Sequence, residues 1–247
     1  MQIYDLHTHT ILSDGDGTVE YLIEKAKEKG YCLGISDHIF CCGIDTIKDI
    51  EKYIAYLEQY DVLKGVEANI GQDFTLPDIL VARVNYCIAS VHAVPDEDGN
   101  LINLSKYFGY RSKHLGEYNK NYNSALSEKY MENIIVMLKD SFANQRVDIY
   151  GHSTVLPFYE ELEGTAFLRD WENDILGLCK KYNVALEISG LWKQPSELVI
   201  RKAREMGLKF SFESDCHMLS EVCDLAYVED MIAKTGICEE ELFIPSR

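Results

Sequence analysis

The sequence predicts an α/β fold in which seven parallel strands form a slightly irregular barrel surrounded by helices. Two observations support this prediction. Strand-like and helix-like patterns alternate along the chain, as they do when parallel strands are joined by crossover helices. Six of the seven histidines also stand at the end of a strand-like run. Because the C-terminal ends of parallel barrel strands meet on one face, these histidines are expected to meet there.

Seven short apolar runs are typical of strands that are buried on both faces of a parallel sheet. Turn residues or amphipathic stretches separate each run from the next, so the runs are expected to be distinct strands. They are residues 2–7, 31–36, 62–68, 85–91, 147–150, 184–188 and 208–212.

Helical patterns fill most of the intervals between the strands. Thr18 is expected to cap a helix over residues 19–29, which ends at the C-cap residue Gly30. Gly207 ends another helix, which opens after Pro195. The helices predicted after the first one cover residues 46–60, 125–139, 166–182, 196–206 and 220–235.

Residues 93–124 interrupt this alternation. The segment contains four tyrosines together with Arg111, Lys113 and His114, and it begins directly after His92. A segment of this length in a compact domain is usually functional or disordered. We therefore expect a lid-like insertion over the site, the alternative being a solvated excursion whose tyrosines cover the barrel rim. Residues 1–247 are expected to form a single domain, since no repeat or linker-like stretch divides them.

The composition argues against several classes of function. The 247 residues are 47% hydrophobic and carry a net charge of −17. Such an acidic chain is not expected to bind nucleic acid or membranes, because nucleic acids and anionic bilayers attract basic surfaces and no apolar run is long enough to span a bilayer. The N-terminus enters a strand without a secretory signal, and the eight cysteines are scattered. We therefore expect a cytoplasmic protein with reduced thiols.

Histidines and carboxylates at the strand ends predict a polynuclear metal centre. Neutral imidazole is the commonest metal ligand in proteins. His7 and His9 are two residues apart at the end of one strand, so both side chains lie on the same side of it, and Asp215 and His217 repeat this spacing. The complete set of expected ligands is His7, His9, Asp14, His38, Glu67, His92, His152, Asp215 and His217.

Each of these residues also has a purely structural interpretation. A lone strand-end histidine is more often a core residue with a backbone partner, and Asp14, which precedes Gly15, is also typical of a turn. Six histidines at equivalent places argue against that interpretation. Glu67 would be costly to bury alone after an apolar strand, and a carboxylate that bridges two ions avoids this cost.

Further polar residues near the strand ends are expected to support the ligands. Asp5, Asp37 and Glu187 are candidates for orienting imidazoles through the second ring nitrogen. Glu213 is expected to be structural. Cys216 lies between two expected ligands, so its side chain should point away from the metals.

The motifs around these residues resemble those of the polymerase and histidinol phosphatase (PHP) superfamily. The resemblance covers residues 3–235 in the family's order. It implies a distorted (β/α)7 barrel, similar to a TIM barrel, with three divalent ions (zinc, manganese or iron) at the C-terminal ends of the strands. The motifs are Asp5-Leu6-His7-Thr8-His9, Ser36-Asp37-His38, Gly65-Val66-Glu67, Ser90-Val91-His92, Gly151-His152 and Ser214-Asp215-Cys216-His217.

The resemblance also implies how the ligands divide among the three ions. Glu67 would bridge two of them, and Asp14 stands where many members of the family have histidine. Carried over, the ligands are His7, His9, Glu67 and Asp215 for the first ion, Asp14, His38 and His152 for the second, and Glu67, His92 and His217 for the third.

Within the superfamily, the chain is most similar to the stand-alone histidinol phosphatases. The similar segments are 186–191 and 195–198. Those enzymes generally carry an arginine, which clamps phosphate, where this chain has Trp192 followed by Lys193.

Taken together, the residues and the resemblance predict an enzyme, a metal-dependent phosphoric monoester hydrolase. The expected substrate is a small phosphorylated metabolite, histidinol phosphate or a related compound, which a metal-activated hydroxide would attack. Glu67, Asp215 and His217 form the expected catalytic group. The residues expected to contact the substrate are Arg111, Lys113, His114, Trp192 and Lys193.

Three alternatives stay open at this point. The protein could hydrolyse a different bond, such as C–N, or act as a PHP-type nuclease, although the net charge of −17 argues against a nuclease. It could also be a non-catalytic metal-binding module with a regulatory role, although nine competent ligands argue against that. The sequence leaves the oligomeric state and the general acid open.

Overall fold

The computed structural model describes residues 1–96, 98–113, 115–118 and 122–246. Its strands are β1 (Tyr4–Asp5), β2 (Cys32–Ile35), β3 (Leu63–Asn69), β4 (Tyr86–Ser90), β5 (Ala93–Pro95), β6 (Leu101–Asn103), β7 (Ile149–Tyr150), β8 (Ala185–Ser189) and β9 (Phe210–Glu213). Seven of them form one parallel sheet in the order β1-β2-β3-β4-β7-β8-β9. Each of the seven predicted strands is therefore present.

The sheet curves until its first and last strands meet. The N–H of Leu6 donates to the carbonyl of Phe212 at 3.3 Å, and the N–H of Asp215 donates to the carbonyl of His7 at 2.8 Å. Beyond them, Thr8 pairs with the segment that follows β9. These contacts join β1 to β9, so the predicted α/β class with a seven-stranded, TIM-like barrel is confirmed.

Helices cover the outside of the barrel. The predicted cap of the first helix is present: the Thr18 hydroxyl accepts from the N–H of Tyr21, and Gly30 ends the helix in the left-handed conformation (φ 73°). None of the helices in the described part of the chain combines the length and the apolar character that crossing a bilayer requires. The helices are α1 (Val19–Lys29), α2 (Ile47–Leu57), α3 (Asp78–Val81), α4 (Ser105–Arg111), α5 (Ser124–Asn144), α6 (Pro157–Glu161), α7 (Ala166–Tyr182), α8 (Glu197–Glu205) and α9 (Ala226–Thr235), with a 3₁₀ turn at Glu239–Glu241.

Two regions differ from the predicted pattern. Residues 220–225, predicted as the first turns of the last helix, form turns because the Glu221 carboxylate accepts the N–H groups of His217 (3.0 Å) and Met218 (2.9 Å) and holds this loop beside the end of β9. The interruption at 93–124 contains a hairpin, β5–β6, followed by α4. That this insertion acts as a lid stays a prediction.

Side chains fill the barrel interior below the site. This inner cluster is separate from the larger core between the sheet and the helices, and it consists of Leu6, Leu63, Tyr86, Ile88, Ile149 and Ala185. Tyr86 is fully buried and its hydroxyl donates to the carbonyl of Leu6 at 2.5 Å. The ring occupies the space left open by Gly34 and Gly65, where any Cβ would overlap it.

Two glycine substitutions should have opposite effects on stability, because only one of these glycines lies against Tyr86. Gly65→Ala should lower the free energy of unfolding by about 1–3 kcal/mol, because the added methyl group overlaps the Tyr86 ring. Gly177→Ala in α7 is the control: its methyl group meets nothing within 4 Å, and alanine gains roughly 0.5–1 kcal/mol over glycine in a helix. Denaturant unfolding measures both. An equal loss for Gly65→Ala in a Tyr86→Leu background would contradict the overlap.

Candidate metal centre

The nine side chains predicted as ligands lie together at the C-terminal end of the barrel. Different strands contribute them: His7, His9 and Asp14 follow β1, His38 follows β2, Glu67 lies in β3, His92 follows β4, His152 follows β7, and Asp215 and His217 follow β9. Six of the nine are buried, two are partly buried and Asp14 is exposed. The barrel topology thus gathers distant parts of the chain into one polar cluster.

Unusual backbone conformations direct two of these side chains. Asp215 (φ 52°) and His152 (φ 25°) have positive φ, which costs roughly 1–3 kcal/mol for a residue other than glycine. Gly151, directly before His152, has no room for a side chain because a Cβ would overlap the hydroxyl of Ser90. Strain of this kind is concentrated at functional sites in proteins.

The Glu67 carboxylate lies at the centre of the cluster, buried and surrounded by imidazoles. Each of its two oxygens faces its own set of nitrogens, which is the arrangement of a carboxylate that bridges two ions. The nitrogens are His7 Nε2 (3.2 Å), His9 Nε2 (3.4 Å) and His38 Nδ1 (2.9 Å) around Oε2, and His92 Nε2 and His152 Nε2 (both 3.4 Å) around Oε1.

Asp215 completes the group on the Oε2 side of Glu67. Its Oδ1 lies 3.3 Å from His9 Nε2 and 3.5 Å from His7 Nε2. These three residues bring their ligand atoms within 4.8 Å of one another. The group therefore has the size of a single ion's coordination sphere.

Asp14 forms a second group nearer the solvent. Its Oδ1 lies 3.6 Å from His217 Nε2, and its Oδ2 lies 3.6 Å from His38 Nε2. His9 Nδ1 is also 3.6 Å from Oδ1. A turn-forming role alone does not account for a carboxylate that faces three imidazoles.

The groups differ in one respect from the division that the family resemblance implied. His217 takes the place beside Asp14 that was expected for His152. His152 instead lies with His92 at Glu67 Oε1, and their rings are 5.1 Å apart. The reason is topological: β7 is next to β4 in the sheet, whereas β9 closes the barrel against β1 and the loop that carries Asp14.

The imidazoles and carboxylates of the cluster balance one another's charge. Burial lowers the pKa of His7, but the carboxylates of Asp215 and Glu67 outweigh burial and hold it well above its ordinary value. Glu67 likewise raises the pKa of His38 to about 9, against the effect of burial. Burial and two neighbouring imidazoles lower the pKa of His9 to about 3. Because metal ligands must lose their protons, ions and protons compete for this site, and metal affinity rises with pH.

Several buried polar atoms of the cluster have no hydrogen-bond partner among the described residues. An unsatisfied buried polar atom costs about 1–3 kcal/mol, and native proteins contain few. A cation would satisfy this set at once, and imidazole with carboxylate is a donor set that suits zinc, manganese and iron. The atoms are His7 Nε2, His9 Nδ1 and Nε2, His38 Nδ1, Glu67 Oε1 and Asp215 Oδ1. The residues present therefore fit a metal centre.

Two glutamates lie close to Nδ1 of His7, the ring nitrogen that faces away from Glu67. Glu187 Oε2 lies 3.0 Å from His7 Nδ1, as predicted. Glu213, expected to be structural, also lies close, with Oε2 3.3 Å from the same atom. Burial and the adjacent Glu187 carboxylate raise the pKa of Glu213 well above its ordinary value.

Asn69 supports a second imidazole and was not predicted. Its Oδ1 accepts from His92 Nδ1 at 2.5 Å. The available signal was its position two residues after Glu67, which puts both side chains on the same face of β3.

Asp5 and Asp37 differ from their predicted roles, because each binds backbone where an imidazole was expected. Asp37 accepts from the N–H of Thr10 at 2.7 Å, and Asp5 accepts from the N–H of Ser214 at 2.8 Å. These bonds fix the loops that carry the predicted ligands, so the two carboxylates support the site indirectly, through the backbone.

Trp192 lies in the wall of the site, where its indole N–H donates to Asp215 Oδ2. Its ring lies 5.5 Å from that of Phe108 in α4 and 6.3 Å from that of His152. The residue predicted to contact substrate thus also holds the second oxygen of an expected ligand.

Three of the other residues predicted to contact substrate do not line the cavity: Arg111, Lys113 and Lys193. Arg111 Nη1 forms an ion pair with Glu160 Oε1 at 2.6 Å. Lys113 and Lys193 are exposed and are absent from the described lining of the cavity. His114 lies outside the described residues.

A cavity of about 670 Å³ opens above the cluster. Phe108 and Trp192 form an aromatic part of its wall, and Asp16 and Glu221 add acidic groups. Within the described residues, neither lysine nor arginine lines it. This volume suits a small metabolite.

Two relatives match nearly the whole chain. It is 26% identical over 252 residues to the DNA polymerase/3'-5' exonuclease PolX of Bacillus subtilis, a match that covers 94% of the chain but only 36% of that protein. It is 25% identical over 255 residues to a protein named probable phosphatase in Thermoanaerobacter sp., covering 96% of the chain and 88% of that protein.

The fold is similar to that of histidinol phosphate phosphatase from Lactococcus lactis, solved with zinc, L-histidinol and phosphate. The TM-score is 0.63 at 17% identity, over 99% of this chain and 97% of that one. At this identity the likeness concerns the fold alone. A model of the PHP domain family matches residues 5–190, which is more than half of the chain. The chain therefore belongs to the PHP domain family.

Proposed function

We propose that this protein is a metal-dependent phosphoesterase that hydrolyses a small phosphomonoester. The observation that carries the proposal is the buried Glu67 carboxylate, whose two oxygens face separate sets of imidazoles. The imidazoles around Oε2 include buried nitrogens without a hydrogen-bond partner among the described residues. The phosphatase-type names of the Thermoanaerobacter and Lactococcus proteins support the same class of reaction.

The proposed centre holds three divalent ions of zinc, manganese or iron. Glu67 would contribute to holding the first two, and Asp14, an exposed carboxylate, would contribute to holding the third. The proposed ligands are His7, His9, Glu67 and Asp215 for the first ion, Glu67, His92 and His152 for the second, and Asp14, His38 and His217 for the third. The zinc in the Lactococcus structure supports zinc as one candidate.

When bound, such ions lower the pKa of water and neutralise charge on phosphoryl oxygens. The chain's own groups prepare the site for that chemistry. Glu187 and Asn69 accept from the Nδ1 atoms of His7 and His92, which leaves each Nε2 free to face the centre. Glu67, Asp215 and His217 are the proposed catalytic group, since all three line the cavity above the cluster.

The cavity supports a substrate with a compact, flat or cationic leaving group. Trp192 and Phe108 offer faces for stacking, and the carboxylates of Asp16 and Glu221 favour a positive charge. Histidinol phosphate has these properties, and the Lactococcus relative was solved with L-histidinol and phosphate. Histidinol phosphate or a related metabolite is therefore the first candidate.

A nuclease is the second candidate, because the Bacillus relative is named a 3'-5' exonuclease. The acidic groups at the cavity and the net charge of −17 oppose a polyanionic strand. Diester and oligonucleotide substrates therefore belong in the same experiment.

Activity should require metal and favour monoesters. Protein reconstituted with manganese or zinc is assayed on histidinol phosphate, p-nitrophenyl phosphate, a nucleoside monophosphate, bis(p-nitrophenyl) phosphate and a short single-stranded DNA. We expect turnover of the monoesters and a loss of kcat of about 10²–10³-fold or more in Glu67→Gln. Cleavage of the DNA in preference to every monoester would replace the proposal by the nuclease, and no hydrolysis of any substrate would refute it.

Metal content should differ between variants of Glu67, which is proposed to hold two ions, and variants of Asp14, which is proposed to hold one. We expect about three ions per chain at saturation, a loss of more than one in Glu67→Gln, and a loss of about one in Asp14→Ala. Asp16→Asn, an exposed carboxylate in the same cavity, is the control and should keep all three. Elemental analysis and thermal unfolding with and without metal give the measurements. A saturating value of one, or full metal in Glu67→Gln, would exclude the bridged centre.

Trp192 variants should distinguish two roles of this residue: stacking on the substrate, and holding Asp215 through the indole N–H. Trp192→Ala should raise KM for an aromatic monoester about 2- to 10-fold more than for an aliphatic one, since an aromatic pair contributes ~0.5–1.5 kcal/mol. Trp192→Phe keeps a ring but lacks the N–H, so it should lower metal affinity and leave that preference in place. Trp192→Arg should shift activity toward histidinol phosphate. Equal effects of Trp192→Ala on both substrates would mean that Trp192 does not stack on the substrate.

A further inference from the structure

Two adjacent cysteines lie at the edge of the metal-site cavity. Cys41 and Cys42 follow His38 in the loop after β2, and both line the cavity. The loop turns sharply, since Ile44 N–H donates to the carbonyl of Cys41 at 3.0 Å and Phe40 N–H donates to the carbonyl of Ile44 at 2.7 Å. Cys42 has a left-handed backbone (φ 55°). The turn places both cysteines in the lining of the cavity that His38 and Glu67 also line.

These two thiols are the ones placed to meet a solute in the cavity. Cys41 is partly buried and Cys42 is exposed. Of the remaining six cysteines, four are buried, Cys32 lines a different pocket, and Cys238 is exposed but does not line the cavity. The pair is therefore both accessible and close to the proposed chemistry.

Asn69 connects Cys41 to a proposed metal ligand. Its Nδ2 donates to Cys41 Sγ at 3.9 Å, while its Oδ1 accepts from His92 Nδ1. Hydrogen bonds from the Cys42 thiol and from Asn69 lower the pKa of Cys41. Donors aimed at a sulfur favour its thiolate form, and the thiolate is the nucleophile in thiol chemistry.

We propose that Cys41 and Cys42 form a reversible modification site that reacts with small disulfides and thereby closes the metal-site cavity. No role of these residues in hydrolysis is required. The effect on activity rests on the proposed phosphoesterase function, whereas the reaction of the thiols does not.

The reaction is a thiol–disulfide exchange. The Cys41 thiolate attacks one sulfur of the small disulfide, an S–S bond forms between protein and adduct, and the other half leaves as a thiolate that takes up a proton. A bond between Cys41 and Cys42 themselves would be strained, because adjacent Cα atoms are ~3.8 Å apart and disulfides usually span ~4.4–6.8 Å. The mixed disulfide is therefore the product that accumulates, and a free thiol reverses it.

The adduct would act on the site in two ways. Its bulk would occupy part of the cavity next to Glu67 and His38. The adduct would also be attached to the sulfur that accepts from the Asn69 amide, whose oxygen accepts from His92.

The test treats metal-loaded protein with glutathione disulfide and follows three quantities: adduct at each cysteine by peptide mass spectrometry, metal content, and hydrolysis of p-nitrophenyl phosphate. We expect one glutathionyl group at Cys41, loss of most activity with metal retained, and recovery with dithiothreitol. Cys41→Ser should form adduct in this peptide on the order of 10-fold more slowly. Cys238→Ser is the matched control and should behave like the unchanged protein.

A readout independent of hydrolysis is protection by inorganic phosphate. Phosphate that occupies the cavity should slow the adduct at Cys41 several-fold but leave the reaction of Cys238 unchanged. If the protein hydrolyses nothing in the panel, adduct formation and its protection still test the site. Adduct formed mainly at Cys238, or equal inactivation of Cys41→Ser, would overturn the proposal.

Discussion

Burying the Glu67 carboxylate at the end of an apolar strand would be very costly without partners of opposite charge. The barrel supplies these partners from four other strand ends as imidazoles. The rest of the site follows from this constraint. The strands must close in a ring so that His7 and Asp215 meet, and the backbone at Asp215 and His152 must adopt conformations that other positions avoid.

Much of the fold, and the meeting of the nine predicted side chains in one cluster, could be predicted from the sequence, because both depend on short-range patterns. Seven apolar runs predicted seven strands, and a histidine or carboxylate at six of the seven strand ends predicted one cluster. The division of ligands could not be predicted in the same way. Whether His152 or His217 lies beside Asp14 depends on which strands are neighbours in the ring, and the motif order does not encode this.

Other features could not be predicted from the sequence, because their signals are weak or depend on residues far apart in the chain. In the sequence, Asn69 is an ordinary strand residue, because its hydrogen bond with His92 depends on the fold. Arg111 resembled a phosphate contact, but Glu160, forty-nine residues later, pairs with it. Helices α3 and α6 have four and five residues, too few for a periodic pattern to be recognised.

The inner cluster around Tyr86 has a consequence for how reactant and products reach and leave the cavity. Tyr86 and its apolar neighbours fill the barrel below the polar cluster, so among the described residues the barrel interior offers no passage to the cavity above it. Reactant and both products would then enter and leave on the side away from the barrel interior. Phosphate that lingers over the cluster would stand in the path of the next reactant, so the rate at which it departs would set an upper bound on turnover.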